Sequence, residues 1–340
     1  FYKKSCTFLE KKLKAKKVVI TNSCTAALEV AALLINVKSG DEIIMPSYTF
    51  VSTANAFVLR GGKPVFVDIR NDNLNINENL IEKSITKKTK AIIAVHYAGV
   101  PCEMDKIIKI GKKYNLFIIE DAAQAIFSKY KDKFCGTLGD IGCLSFHETK
   151  NITSCEGGAI ILNKKKFFKK ASIICNKGTD REYFNKSLRK YYSWRGLGSS
   201  YIPSEITCAI LYSQLLNYKK IFNERKKIWY KYYFALKKIN SKLIVNKKLY
   251  SKDVSINYHM YFIICKDFRV RTKILNALNK IGIISTFHYI PLHMSKIGSM
   301  YFKKKLNVTE ELSKKIIRLP LWIGMNQNKV IEKLKKVLNN

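Results

Sequence analysis

Short apolar runs alternate with helical stretches along the first third of this chain, and that alternation constrains the fold more than any other feature. Val18–Ile20, Glu42–Met45 (closed by Pro46), Pro64–Asp68, Ala91–His96 and Leu116–Glu120 each read as a strand. Between them, Ala26–Ile35, Phe50–Leu59, Leu80–Ile85 and Met104–Tyr114 read as helices. Strands this apolar are buried on both faces, and helices between consecutive strands supply the crossovers that parallel pairing requires. The expected fold class is therefore α/β, a mainly parallel sheet covered on both sides.

Past Gly196-Leu197-Gly198 the pattern changes. Ser204–Leu216 and Ile221–Leu236 read as long helices, and Asn240–Asn257 as a polar, hinge-like stretch. Strand candidates Met260–Ile264 and Ile283–Phe287 then flank a further helix. This divides the chain into a large α/β domain, residues 1–220, and a small C-terminal α+β domain, residues 221–340. At 47% hydrophobic, the chain has enough apolar surface for a core in each.

A formal net charge of +37 invites a nucleic-acid reading. The distribution of the lysines argues otherwise, because they occur along the whole length in short groups such as Lys87-Lys88, Lys164–Lys166 and Lys335-Lys336. There is no arginine-rich stripe and no basic segment interleaved with aromatics. No nucleic-acid partner is expected, although the positive field favours an anionic small substrate. Nine cysteines without a Cys-x-x-Cys pair, and without a metal spacing to the five histidines, read as reduced, mostly buried thiols of a cytoplasmic protein that holds no metal. No stretch is long and apolar enough for membrane insertion. The chain opens at Phe1 without a methionine and enters a helical pattern almost at once, which suggests a missing N-terminal segment.

Three local patterns carry chemistry. Apolar runs Ile141–Phe146 and Ala159–Leu162 flank a polar turn that holds Lys150. Partial burial there lowers a lysine's pKa, and the neutral amine attacks carbonyls to form a Schiff base; a solvated loop lysine is the plainer alternative. Strand, Ser23-Cys24-Thr25, then helix outlines a phosphate site in which backbone N–H groups and hydroxyls meet an anion, although Ser23 reads equally as a helix cap. Glu120-Asp121-Ala122-Ala123-Gln124 follows a buried strand at the edge where parallel sheets bind ligands, and there too a cap is the alternative. A phosphate cradle, a strand-end acid and a buried turn lysine, in that order, are what pyridoxal 5′-phosphate (PLP) needs.

These segments, with Met45–Phe50 and Gly139–His147, resemble the DegT/DnrJ-type sugar-nucleotide aminotransferases, and the resemblance covers essentially the whole chain. It implies the fold-type I PLP-dependent aminotransferase architecture and a homodimer with shared active sites. The stretches Ser145–Asn151, Tyr192–Ser200 and Phe287–His293 are most similar to the branch that aminates a dTDP-keto sugar with L-glutamate. By this resemblance Lys150 carries the cofactor aldehyde, Asp121 pairs with the pyridine nitrogen and Gln124 bonds the ring hydroxyl. Phe50 stacks on the ring. Cys24, Thr25 and Ser145 bind the phosphate, and Ser200 stands where many relatives have an asparagine that reaches the phosphate of the partner subunit. His147, His288 and His293 match substrate-side positions. Cys155 replaces a glycine that usual relatives carry before Glu156-Gly157-Gly158, which predicts a locally altered loop. Another nucleotide-sugar 3- or 4-aminotransferase, or a PLP-binding homologue without turnover, remains the alternative.

Overall fold

The computed structural model describes residues 1–182, 190–238, 243–245 and 253–339. Seven strands build the main sheet. In chain order they are β1 (Val18–Thr21), β2 (Glu42–Pro46), β3 (Lys63–Val67), β4 (Thr89–Val95), β5 (Phe117–Asp121), β8 (Ile141–Ser145) and β9 (Gly158–Leu162); β6 (Lys129–Tyr130) and β7 (Lys133–Phe134) form a small hairpin outside it. The spatial order is β1-β9-β8-β5-β4-β2-β3. Neighbours from β8 to β3 pair in parallel, and β9 runs antiparallel to both β8 and β1. The sheet is thus mainly parallel, as the strand–helix alternation required.

Period-two alternation of side chains explains why both faces are apolar. Val19, Ile43, Met45, Ile93 and Ile160 point into one core, which they share with helices α2 (Cys24–Leu34) and α3 (Val51–Val58). Val18, Ile20, Leu144 and Ile161 meet α1 (Tyr2–Leu13) on the other side. There too Ile44, Ile92 and Ile118 join Ile107 of α4 (Met104–Lys113). Because β1, β2, β4, β5 and β8 run the same way, their carboxyl ends open on one edge, and the turns that follow them meet there.

Helices α5 (Phe168–Cys175), α6 (Glu205–Leu216) and α7 (Tyr218–Lys237) lead to a second, smaller sheet. It has the order β10 (Ile244–Val245), β12 (Tyr261–Cys265), β13 (Ile316–Leu319). Helix α8 (Phe268–Lys280) and the helix Gln327–Asn339 pack against it around Ile263, Ile274, Leu278, Ile317 and Leu334.

Three expectations are corrected. Leu80–Ile85 is not an α-helix but two 3₁₀ turns, Glu78–Leu80 and Glu82–Ser84, because so short a segment cannot offset helix nucleation. Ile283–Phe287 is not a strand. Asn279 captures the Ser285 N–H through its side chain, leaving Thr286 as the residue that bridges to Arg318 of β13, the strand the sequence reading passed over. The stretch Asn240–Asn257 lies partly outside the described residues, but its described end is docked: β11 (Val254–Ser255) pairs with β6, and Asn257 is buried.

Candidate active site

A cavity of about 350 Å³ opens at the carboxyl edge of the main sheet, within the size range of small-molecule sites. Lys150 reaches it from the β8–β9 turn. That turn is closed by backbone bonds, Lys150 N–H to His147 O at 2.9 Å and Phe146 N–H to Gly157 O at 2.8 Å. The Lys150 amine pairs with no carboxylate among the described residues. Burial lowers its pKa; Cys24 and Asp121 oppose the shift and Arg318 adds to it. The neutral amine is therefore more accessible than for a solvated lysine.

Asp121 ends β5 and faces the same cavity. Its Oδ2 accepts from Thr53 Oγ1 at 2.7 Å and its Oδ1 from the Ala123 N–H at 3.1 Å, so the carboxylate is fixed from two sides. Thr53 is in turn bonded to Thr49 at 2.8 Å. Gln124 is held at both ends of its amide, accepting from Ala98 N–H at 2.6 Å and donating to Tyr289 Oη at 2.9 Å. Phe50 precedes α3 at the cavity wall and is 58% exposed, an aromatic ring left free for a planar partner.

At the far end stands the N-terminus of α2. Ser23 is its cap, accepting the Ala26 N–H at 3.0 Å, so the capping alternative describes that side chain. Cys24 and Thr25 occupy the first turn, where backbone N–H groups lack intrahelical acceptors. Thr25 Oγ1 lies 2.8 Å from Ser52 Oγ, and Ser145 closes the same wall from β8. Gly158 of β9 keeps this end open: a Cβ there would run into the Cys24 amide nitrogen. A helix terminus with free donors, a fixed carboxylate and an unpaired amine on three walls of one cavity fit a phosphate, a ring nitrogen and an aldehyde.

His147 lines the mouth, with Nδ1 3.0 Å from Thr149 Oγ1. His288 enters from the small sheet's side. Its ring stacks on Tyr289 with centroids 4.2 Å apart and an interplanar angle of 9°. Burial, Arg318 and Lys150 push its pKa down to about 2. His288 is thus neutral, and Arg318 Nη1 donates to its Nε2. The expectation for His293 is corrected. It is 7% exposed and outside the cavity lining, with Nδ1 at 2.7 Å from Ser47 Oγ and Nε2 at 3.2 Å from Glu310. Those partners saturate the ring as a tie between β2's exit and residues 293–310. Ser200 likewise does not reach the cavity of its own chain; it bridges to Asn176 on an exposed segment. Cys155 adopts φ 67°, the left-handed conformation a glycine takes most easily.

Sequence reasoning missed several cavity residues. Ser52 and Thr53 lie within three residues of Phe50 and were legible as hydroxyls in a helix's first turn. His259 and Arg318 had only weak signals, each a single polar residue at or within an apolar strand of the small sheet. His259 Nδ1 lies 2.9 Å from Oδ1 of Asn151, next to Lys150, and burial pushes its pKa down. Asn257 ties the parts together. Its side-chain amide donates to the carbonyls of Gln124 and Ile126 at 2.8 and 3.1 Å, and its own carbonyl accepts from Asn151 at 2.6 Å.

Residues 6–337 match the DegT/DnrJ/EryC1/StrS aminotransferase family. An uncharacterised protein of Methanocaldococcus jannaschii is 36% identical over 94% of this chain and 84% of its own length. GDP-perosamine synthase of Escherichia coli O157:H7 is 34% identical over 90% of this chain and 81% of its own. A Streptococcus pneumoniae protein assigned as a sugar aminotransferase, solved in its PLP form, superimposes with a TM-score of 0.90 at 26% identity, over 99% of this chain and 91% of that one. The chain belongs to the DegT/DnrJ/EryC1/StrS aminotransferase family and is a PLP-dependent sugar aminotransferase with the fold-type I architecture.

Proposed function

We propose that the chain transfers the amino group of L-glutamate to C4 of dTDP-4-dehydro-6-deoxy-D-glucose, giving dTDP-4-amino-4,6-dideoxy-D-galactose and 2-oxoglutarate. The product serves bacterial surface polysaccharide, enterobacterial common antigen or O-antigen, and the enzyme is cytoplasmic. The observation that carries the transfer is the Lys150 amine, disfavoured as an ammonium by burial, in one cavity with the fixed Asp121 carboxylate. The choice of sugar rests on the stretches Ser145–Asn151, Tyr192–Ser200 and Phe287–His293.

Cys24, Thr25 and Ser145 hold the cofactor phosphate, Asp121 its ring nitrogen, Gln124 its ring hydroxyl and Phe50 its face. When bound, PLP supplies a carbonyl for amine exchange and a protonated ring that accepts electrons. Lys150 takes the proton from the donor's Cα and later returns one to the sugar's C4. Because its turn is anchored through Asn151, it delivers that proton to one face, so a single C4 epimer forms, the axial amine in this reading. His147 and His288 line the sugar side. The large domain, residues 1–220, carries the cofactor groups, and residues 221–340 form the smaller domain that covers the site. The exposed apolar side chains of Tyr191, Trp194 and Leu197 suit a homodimer interface that brings Ser200 toward the partner's cofactor phosphate.

The test is NMR identification of the aminosugar formed from dTDP-4-dehydro-6-deoxyglucose, L-glutamate and the PLP-loaded protein. An equatorial amine, or an amine at C3, sinks the choice of product and leaves aminotransfer standing. The 34% identity to GDP-perosamine synthase favours a second reading, a GDP-linked keto sugar, which the same assay separates when the GDP-linked keto sugar is offered in parallel. A cofactor absorbance that L-glutamate leaves unchanged identifies a homologue without turnover.

A further inference from the structure

Among the described residues, four histidines line the cavity, and three of them, His96, His147 and His288, have both ring nitrogens engaged within the chain. His96 donates to Glu120 and accepts the Cys102 N–H. His147 has Thr149 Oγ1 at 3.0 Å from Nδ1 and Glu156 Oε1 at 3.4 Å from Nε2. His288 accepts from Arg318 at Nε2, and its Nδ1 stands 3.4 Å from Tyr97 Oη. His259 differs. Its Nδ1 is bonded to Asn151, but among the described residues its Nε2 has no hydrogen-bond partner, although the residue is only 5% exposed. A buried polar atom left empty is costly unless a ligand completes it.

The neighbours dictate what that free nitrogen is. Asn151 turns its NH₂ toward the Asn257 carbonyl at 2.6 Å, because the opposite orientation would set two oxygens against each other. Its Oδ1 therefore faces His259 Nδ1 at 2.9 Å, and Nδ1 must carry the ring proton. Burial, with Lys150, Arg225, Arg318 and His288 adding to the effect, pushes the pKa of His259 down and keeps the imidazole neutral. Nε2 is thus a bare acceptor. The backbone is fixed as well: the His259 N–H donates to Asn257 Oδ1 at 3.1 Å, and its carbonyl accepts from Arg225. Through Asn151 the ring is tied to the residue next to Lys150, and both side chains line the same cavity.

We propose that His259 Nε2 accepts a hydrogen bond from the C3 hydroxyl of the keto sugar, and so selects sugars that carry that hydroxyl. This deepens the aminotransferase reading above and rests on it. In that reading the polar groups of the cofactor are already matched by Cys24, Thr25, Ser145, Asp121 and Gln124, so the missing donor belongs to a substrate. The amino acid gives up its nitrogen to the cofactor and otherwise presents carboxylates, which only accept and are repelled by a bare nitrogen. A 4-keto-6-deoxy sugar has two carbons beside C4. C5 bears a methyl group and the ring oxygen, so the one hydroxyl adjacent to the reacting carbon is that on C3. The acceptor tied to the Lys150 turn thus meets the hydroxyl beside the carbon that Lys150 serves. The nucleotide plays no part in this contact, which is the same for a dTDP- or a GDP-linked sugar.

The test is calorimetric binding of the keto sugar and of its 3-deoxy analogue, on either nucleotide, to PLP-loaded wild type, His259→Asn and His259→Gln. PLP carries no transferable amine, so binding is read without turnover. Borohydride labelling at Lys150 confirms that each variant is folded and loaded. An asparagine amide reaches the place of Nδ1 and keeps the Asn151 bond, whereas a glutamine carbonyl reaches that of Nε2 and keeps the acceptor. Wild type is expected to prefer the 3-hydroxy sugar by roughly fivefold to a hundredfold, because the 3-deoxy sugar leaves a buried acceptor unpaired. The preference should fall below about twofold in His259→Asn and stay within about threefold of wild type in His259→Gln. An undiminished preference in His259→Asn overturns the assignment, as does a wild type indifferent to the C3 hydroxyl. So does a preference lost in His259→Gln alone, which would place the effect in the Asn151 tie. A preference that depends on His259 in a protein that forms no aminosugar strikes the proposed reaction and leaves the hydrogen bond standing; a wild type that binds neither keto sugar overturns both.

Discussion

Glu120→Gln tests the layer beneath the cavity, where one atom change reverses the sense of two hydrogen bonds. Glu120 is wholly buried at the end of β5. Oε1 accepts from the Leu138 and Gly139 N–H groups, both at 2.7 Å, and Oε2 from the Gly136 N–H at 2.7 Å and from His96 Nε2 at 3.0 Å. His96 Nδ1 accepts the Cys102 N–H at 3.0 Å, so the ring proton must sit on Nε2. All four contacts are therefore donors to oxygen, and a glutamine amide turned either way sets its NH₂ against two of them. Hydrogen bonds to charged groups contribute about 1.5–3 kcal/mol each, so two lost bonds cost about 3–6 kcal/mol. With an unfolding entropy of roughly 2.1 cal/mol/K per residue, a chain of this size loses about 4–8 °C in Tm if it melts as one unit, and more if the large domain melts alone. The assay is thermal unfolding of the apo-proteins by circular dichroism, with Glu148→Gln on the exposed turn as a control expected to change little. A Glu120→Gln protein that melts within about 1 °C of wild type refutes the four-donor arrangement. The site is coupled to it, because residues 136–139 lead directly into β8, which carries Ser145 and the Lys150 turn.

Lys150→Met is expected to raise Tm at pH 7. The folded-state pKa lies below the unfolded value, so the unfolded chain binds more protons between them and stability rises with pH through that window. The lysine's cost is full below the folded pKa, and the gain from its removal should vanish near pH 10.4 in a series of melts; a pH-independent difference contradicts the depressed pKa. Asn257→Ala leaves the Gln124 and Ile126 carbonyls without that donor and loosens the backbone whose carbonyl accepts from Asn151, so PLP affinity should fall about tenfold or more, measured by fluorescence titration. An unchanged affinity would mean that Asn257 does not position the lysine turn. His293→Gln should lower Tm by a few degrees and leave KM for the keto sugar within about twofold, since His293 is outside the cavity lining; a tenfold rise in KM returns His293 to the substrate side.

What the sequence made legible is what is local. Lys150, Asp121 and the Cys24–Thr25 turn each follow a buried strand within a few residues, and parallel strands deliver their ends to one edge. Strand identity thus brought these residues to one cavity without knowledge of the tertiary fold. The same logic failed at Ile283–Phe287, where β-branched residues read as a strand but the Asn279 side chain and the turn after α8 claimed the backbone donors. It failed again at His293, whose neighbourhood matched a substrate loop while its ring nitrogens were already committed to Ser47 and Glu310.

The residues that completed the cavity from afar left almost no local trace, for a physical reason. Asn257, His259 and Arg318 act through partners more than a hundred residues distant, or across the gap between two sheets, and no periodicity reports such pairs. Gly99 is the clearest case. At φ 81° it reads as an ordinary turn glycine, yet a Cβ there would collide with the Asn257 side chain. The turn after β4 was therefore shaped to admit an asparagine from the far end of the chain. That asparagine holds the backbone around Gln124 and, through Asn151, the turn that presents Lys150. The two halves of the lysine's environment thus meet at one residue, through its side-chain amide on one side and its main-chain carbonyl on the other. A substitution at Gly99 should accordingly displace the Asn257 side chain and crowd the Gln124 carbonyl, and so disturb the lysine turn from outside it.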